Sequence, residues 1–271
     1  METGKANNIQ ADTFNIDLCE QYHLAIEIGF KHLSYCIINT HTNSLQYLNR
    51  VIINNNFINK INQDNILKLN FGSISVSFAN IPFTLVPSEL FQKNKEKQIL
   101  ELHSNTYDII KSDELINIKT HLIYTIPNFM NDIIFTFFPN AKQSAQQSIL
   151  IKRFNEFNNH NDIAYLHISD KKFNLTTFKN SKLILSNEFD FDTKEDLLYY
   201  TLFTFEQLNL NPETVSVKIY GDIIKGDETH QLLYEYIRNV EFGYRPNSIN
   251  FPSEFNQIQQ HKFYGLFSQY K

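Results

Sequence analysis

Sixteen residues near the start of the chain, Leu24–Asn39 (LAIEIGFKHLSYCIIN), align without a gap with sixteen from its second half, Ala164–Lys179 (AYLHISDKKFNLTTFK). Both stretches read as an apolar strand, a tight turn and a second apolar strand. In the first copy the strands are Leu24–Ile28 and Leu33–Ile38, with the turn at Gly29–His32. In the second they are Ile163–Ile168 and Phe173–Phe178. These runs are dense enough in apolar residues to be covered on both faces. Each copy continues with a third strand, Leu45–Ile53 or Leu183–Phe189, and then with helix and strand patterns. A duplicated unit of this kind predicts two similar lobes, each with its own sheet.

The intervening chain fits that division. Asn54–Asn56 breaks the first pattern, and Ile58, Ile61, Ile66, Leu67 and Leu69 mark a short amphipathic helix. Ser73–Phe78 alternates as a half-buried strand does, and Phe83–Val86 reads as another. Pro87-Ser88 predicts a helix start, with the helix over Glu89–Leu102. Strands are expected at Tyr107–Ile110 and Ile116–Ile126, a helix over Phe129–Phe138, and a strand at Gln147–Phe154. The polar run Asn158–Asp162 marks the lobe boundary. In the second half, Asp192-Thr193-Lys194-Glu195 opens a helix whose buried face carries Leu198, Leu202, Phe205 and Leu208. Val215–Tyr220 reads as a buried strand closed by Gly221. Asp227 caps a helix over Glu228–Asn239, and Ser253–Ser268 is expected as a last helix interrupted near Gly265. The domain reading is thus a flexible terminus over 1–20, a first lobe with an insertion over 21–158, and a second lobe over 159–271.

Composition excludes several function classes. The 271 residues include 14 Tyr and 24 Phe but no Trp, enough for two aromatic-rich cores. The formal net charge is -5 with no basic stripe, so nothing offers a phosphate-neutralising face for nucleic acid. The longest apolar run falls short of the roughly 20 residues a membrane helix needs, so no membrane insertion is expected. The N-terminus has no apolar signal core, and Cys19 and Cys36 form no CxxC pair. A cytoplasmic location is the expectation. P-loop, GxGxxG, GxSxG and HExxH patterns are all absent from the sequence, so no metal ligand set is expected.

A β-hairpin extended by a third strand, followed by helix and strand, is the start of a ribonuclease-H-like lobe. Two in tandem resemble the actin-like ATPase superfamily. Glu27-Ile28-Gly29 looks like the first phosphate motif of actin-like cell-division and pilus-assembly proteins. The stretch from Ile163 to Ile219-Tyr220-Gly221 is similar to the second lobe of pilus-assembly members. The whole layout, with FTLVP at Phe83–Pro87, resembles an uncharacterised bacterial family with that fold. The resemblance implies an α/β protein of two lobes, each a mixed sheet flanked by helices. It also implies a nucleotide site between the hairpins, in which Glu27 would orient magnesium through water.

The candidate site residues follow from that resemblance: Glu27, Gly29 and Lys31 at the first turn, Ser169 and Lys171 at the second, Gly221 and Gly226 at the third. The pattern is degenerate. Phe30-Lys31-His32 stands where a small hydroxyl belongs. The second turn, His167 to Lys172, holds no glycine, and Asp170 adds repulsion. Asp222, Asp227 and Glu228 surround the third region with carboxylates. The leading expectation is therefore a non-catalytic binding or scaffold module with an unidentified protein partner and no cofactor. The alternative is a divergent ATP-dependent phosphotransferase or ATPase using Glu27 and weakly held Mg-ATP. A ribonuclease-H-like nuclease ranks third, because Glu27, Asp170 and Asp222 come from different lobes.

Overall fold

The computed structural model describes residues 8–53, 57–102, 104, 106–107, 109–157 and 162–270. The first half holds β1 (Ile9–Gln10), β2 (Tyr22–Ile28), β3 (His32–Asn39), β4 (Ser44–Ile52), α1 (Phe57–Gln63) and β5 (Ser73–Phe78). It continues with β6 (Phe83–Pro87), α2 (Glu96–Glu101), β7 (Ile109–Leu115), β8 (Thr120–Ile126), α3 (Asn128–Phe137), β9 (Lys142–Ala145) and α4 (Gln146–Glu156). The second half runs β10 (Ile163–Ser169), β11 (Lys172–Lys179), β12 (Lys182–Asp190), α5 (Lys194–Gln207), β13 (Ser216–Gly221), α6 (Glu228–Tyr236), β14 (Asn239–Phe242) and α7 (Tyr264–Phe267).

The duplication is visible in the strand order. One sheet runs β1-β4-β3-β2-β5-β9 and the other β12-β11-β10-β13-β14. With β1 set aside, the two orders are the same. Directions match too: β2 is antiparallel to β3 and parallel to β5, as β10 is to β11 and β13. A third sheet, β6-β8-β7, is inserted between β5 and α3 and packs Val86 and Ile123 against Leu100 of α2.

Alternation along a strand sends successive side chains to opposite faces. Leu24, Ile26 and Ile28 of β2 therefore share one core with Ile61 of α1 and Met130, Ile133 and Ile134 of α3. In the second lobe Ala164, Leu166 and Ile168 do the same with Leu197, Leu198, Phe205 and Leu233 of α5 and α6. The opposite faces are covered by exchanged segments. Leu150 and Phe154 of α4, from the first half, pack with Tyr165, Phe178 and Tyr220 of the second sheet. Ile249, Phe255, Leu266 and Phe267, from the end of the chain, pack on Ala25, Cys36, Ile38 and Leu48 of the first sheet. The Phe154 ring stacks on Tyr165 at 4.1 Å and on Tyr264 at 5.8 Å. Each such pair adds about 0.5–1.5 kcal/mol beyond burial.

Several expectations change. Gln147–Phe154 is not a strand but lies in α4, because Gln147, Leu150, Ile151 and Phe154 fall at helical spacing and all are buried. The helix expected over 89–102 is confined to Glu96–Glu101, since Asn94 at φ 74° turns the chain just before it. Strands β7 and β8 meet at a turn through Ile116–Ile118 and Lys119 (φ 54°), so the expected strand 116–126 begins later. The α6 helix stops at Tyr236, and Asn239 already pairs in β14. The last helix is two short turns, Ser253–Gln257 and α7, separated by Phe263 at φ 57°, and Gly265 lies inside the second. Within the stretch expected to be flexible, 1–20, Ile9–Gln10 pairs with β4 and Ala11 is buried. Residues 1–7 and the expected break at 54–56 lie outside the described residues, as does 158–161 of the boundary run. The second-lobe assignment of 159–271 does not hold for the chain end, which returns to the first sheet.

Candidate functional site

The repeat places Glu27 and His167 at equivalent positions, and the structure puts both on the faces that look toward the other lobe. Sheet register extends each into a polar row. In the first lobe Glu27 pairs with Ser77 and Ser34, and Ser34 with Arg50. In the second, His167 pairs with Tyr220 and Asn174, and Asn174 with Glu188. Arg50 of the first row reaches Asp222, beside the second row, at 2.8 Å, and the charges of Glu27, Arg50 and Asp222 all act on His167.

Glu27 is buried but not unpaired. Its Oε1 lies 3.4 Å from His32 Nε2, and its Oε2 accepts a 2.6 Å hydrogen bond from Gln146 Nε2. Burial pushes its pKa up, but the His32 hydrogen bond and charge, with help from Gln146, outweigh this and hold it below the ordinary carboxylate range. The His167 pKa is also lowered from the ordinary imidazole value: burial lowers it, against the pull of Glu27 and Asp222. The ring of His32 lies over Gly29, where a Cβ would meet it at 2.6 Å. The space that glycine leaves is thus taken by an imidazole.

An ion pair crosses the cleft. Arg50 of β4 donates Nη1 and Nη2 to the two carboxylate oxygens of Asp222, just after β13, at 2.8 and 2.9 Å. Desolvation raises Asp222, yet the charge and hydrogen bonds of Arg50 hold it below its usual range. The pair is a quarter to a third exposed, so it contributes only about 0–1 kcal/mol to stability. Its importance is where it stands. The chain end adds to the filling. His261 accepts the Gly221 amide through its carbonyl at 3.0 Å, and its Nε2 lies 2.7 Å from the Ile223 carbonyl. Phe263 lies beneath Arg50 at 5.9 Å, and a side chain at Gly265 would meet Gln146 and Glu27 at 3.0 and 3.2 Å.

The cleft brings Glu27, Gly29 and Gly221 of the candidate residues close to these groups. Gly29 donates its amide to the His32 carbonyl across the hairpin, at 2.9 Å. Gly221, at φ +90°, is needed where β13 approaches β10: a Cβ there would meet the Ile168 carbonyl at 2.0 Å. Gly226 (φ +87°) serves the turn before α6, and its amide is given to His230 Nδ1 at 3.3 Å. Asp222 and Ile224 donate their amides to the Ile168 carbonyl and to Asp227 Oδ2. Lys31 is exposed, and its carbonyl accepts the Ile53 amide. Ser169 ends β10 buried opposite Lys172. Lys171 points outward to Asp192 at 2.6 Å. Asp227 and Glu228 serve the α6 cap and a pair with Lys194.

A magnesium triphosphate needs free amides or cations aimed at its oxygens. Here the amides of Gly29, Gly221, Asp222, Ile224 and Gly226 are committed within the protein, Arg50 is neutralised by Asp222, and Glu27 is held by His32 and Gln146. These groups, as arranged, do not fit that ligand. His32, Arg50, Gln146 and Gly265 are the site residues that sequence reasoning missed. Among the described residues no group of three or more His, Cys, Asp or Glu side chains could hold a metal ion.

The comparisons agree with this architecture. A family model described as "Protein of unknown function (DUF3822)" matches residues 11–240. No curated protein matches the chain. Among solved structures, a Bacteroides thetaiotaomicron protein described as having an actin-like ATPase fold and unknown function is 20% identical, with a TM-score of 0.79. The match covers 85% of this chain and 94% of that one. The PilM–PilN type IV pilus biogenesis complex matches with a TM-score of 0.55 at 12% identity, over 90% of this chain and 95% of the other. The chain therefore has the actin-like ATPase fold. Among the described residues no helix is long and apolar enough to cross a membrane.

Proposed function

The chain belongs to the DUF3822 family, and from that membership and the filled cleft we propose a non-catalytic binding or scaffold module with degenerate nucleotide loops. The observation that carries this reading is the Arg50–Asp222 pair, which joins the lobes where the resemblance implies a nucleotide site. The committed amides of Gly29, Gly221 and Gly226 support it. The partner half of the reading draws support from the fold neighbour solved as a PilM–PilN complex. A cytoplasmic setting is favoured by Cys19 and Cys36, both free and buried.

The test is a titration with Mg-ATP, read by calorimetry and by thermal unfolding. The expected outcome is no saturation at micromolar ligand and no thermal stabilisation. A true site at a thousandfold excess over Kd would add about 4 kcal/mol. Hydrolysis above background should be absent in the native chain and in Glu27→Gln alike. Micromolar affinity that disappears in Glu27→Gln, with the fold retained by circular dichroism, overturns the proposal and makes Glu27 a magnesium-orienting acid.

A further inference from the structure

Helix α5 is apolar on two opposite faces. Leu197, Leu198, Thr201, Thr204 and Phe205 are buried against the second sheet. On the outward face, Tyr199 and Phe203 are 61% and 45% exposed. Surface helices ordinarily turn charged or polar residues to water. These two rings, one helical turn apart, stack at 5.9 Å with an 18° interplanar angle and form a single ridge. Glu195 lies one turn before Tyr199 and Glu206 one turn after Phe203, both exposed.

Charge decides what covers such a ridge. Helices α5 and α6 pack together, with their first turns joined by Lys194 and Glu228 at 2.7 Å. Between them they carry five carboxylates and one lysine, a net -4 in a chain whose total is -5. An anionic membrane or a nucleic acid would be repelled. A second copy laid face to face would bring the same carboxylates together. A cationic segment with apolar residues at helical spacing satisfies both features. Its side chains would pack ridge into groove on Tyr199 and Phe203, while its lysines or arginines face Glu195 and Glu206.

We propose that the Tyr199–Phe203 ridge of α5 docks a basic amphipathic helix of a partner protein. This rests on the binding-module reading and gives it a surface and a partner chemistry. The probes are three labelled peptides of about 18 residues, five helical turns. One is a Leu/Lys peptide in helical period, the second has Glu for Lys, and the third scrambles the first. Each is titrated into the full chain by fluorescence anisotropy, with hydrogen exchange of the complex.

The Leu/Lys peptide should bind about tenfold or more tighter than either control, less tightly as salt rises, and protect residues 194–207. Phe203→Ala and Tyr199→Ala should each weaken it several-fold while leaving the melting temperature near that of the native chain. The double variant Glu195→Lys/Glu206→Lys should shift preference toward the Glu peptide. Equal binding of the three peptides, or binding indifferent to these variants, overturns the proposal. A concentration-dependent dimer lost in Phe203→Ala also overturns it and assigns the ridge to a second copy. Tight Mg-ATP binding with the peptide result intact would instead sink the cleft reading and leave this surface standing.

Discussion

His23 shows what burial does to a single titratable group in this protein. Its two ring nitrogens meet Ser73 Oγ at 2.8 Å and Ser75 Oγ at 2.9 Å, and burial lowers its pKa to about 4. Between about pH 6.5 and that value the unfolded chain binds a proton that the folded chain refuses. Stability is therefore lost on acidification through this window, by up to about 3 kcal/mol for this residue. His167 and His261 are also lowered and act in the same sense. Urea unfolding at pH 7 and pH 4.5 should show a smaller loss in His23→Asn than in the native chain. An unchanged loss would mean that the ring is solvated. Glu27 acts in the same sense over a lower pH window. Its pKa is depressed, so its contribution is present above the unfolded carboxyl value and disappears as pH falls through the folded one. Glu27→Gln should therefore cost stability at pH 7 and converge with the native chain in acid. Of this site, Glu27 and His167 were legible in the sequence because the repeat aligns them, and Gly29, Gly221 and Asp222 because they stand at turns that end strands. Arg50 is a lone cation in a strand whose carboxylate stands 172 residues away, and no local pattern announces such a pair.

At the scale of elements, periodicity told strand from helix wherever an element faced one environment. Both hairpins, the third strands, β5, β13 and α3 were legible for that reason. The exceptions have physical causes. The β7 strand reads IIKSDEL, and its polar half hides it, although Asp113 is held there by the Ala145 amide at 2.8 Å. The short run Gln147–Phe154 is apolar enough to pass for a strand when its three-and-four spacing is overlooked. The α5 helix tests how far a face can be trusted. Its start was legible: the Thr193 hydroxyl accepts the Asp196 amide, and the Asp196 carboxylate accepts the Thr193 amide. Thr193→Ala should cost about 1 kcal/mol. Of the residues expected inward, Phe205 is fully buried whereas Leu202 is only half-buried. Phe205→Ala is thus expected to cost about 3–5 kcal/mol in chemical denaturation, and Leu202→Ala less than half of that. Equal losses at the two sites would show that the helix is rotated from the orientation described.

The exchanged segments make the whole molecule more than two lobes in contact. Each sheet has one face covered by helices of its own half and one covered by chain from elsewhere. Without α4, Tyr165, Phe178 and Tyr220 would face water. Without residues 249–270, so would Ala25, Cys36, Ile38 and Leu48. Arg153 of α4 ties the two exchanged pieces directly, donating to the carbonyls of Ser268 and Tyr270 at 3.2–3.3 Å. Neither half can complete its core alone, so unfolding should be a single transition despite the duplicated topology. Phe154→Ala provides the test, since Phe154 belongs to the first half by sequence and to the second core by packing. It should cost about 3–5 kcal/mol and lower hydrogen-exchange protection in β2 and β3 as well as in β10 and β11. A fragment ending at residue 157 should not fold, because the first sheet would lack its cover. Two resolved transitions, or a loss of protection confined to β10 and β11, would mean that the lobes unfold separately. The lobes would then be free to move apart, and the Arg50–Asp222 bridge could no longer count as a fixed joint between them.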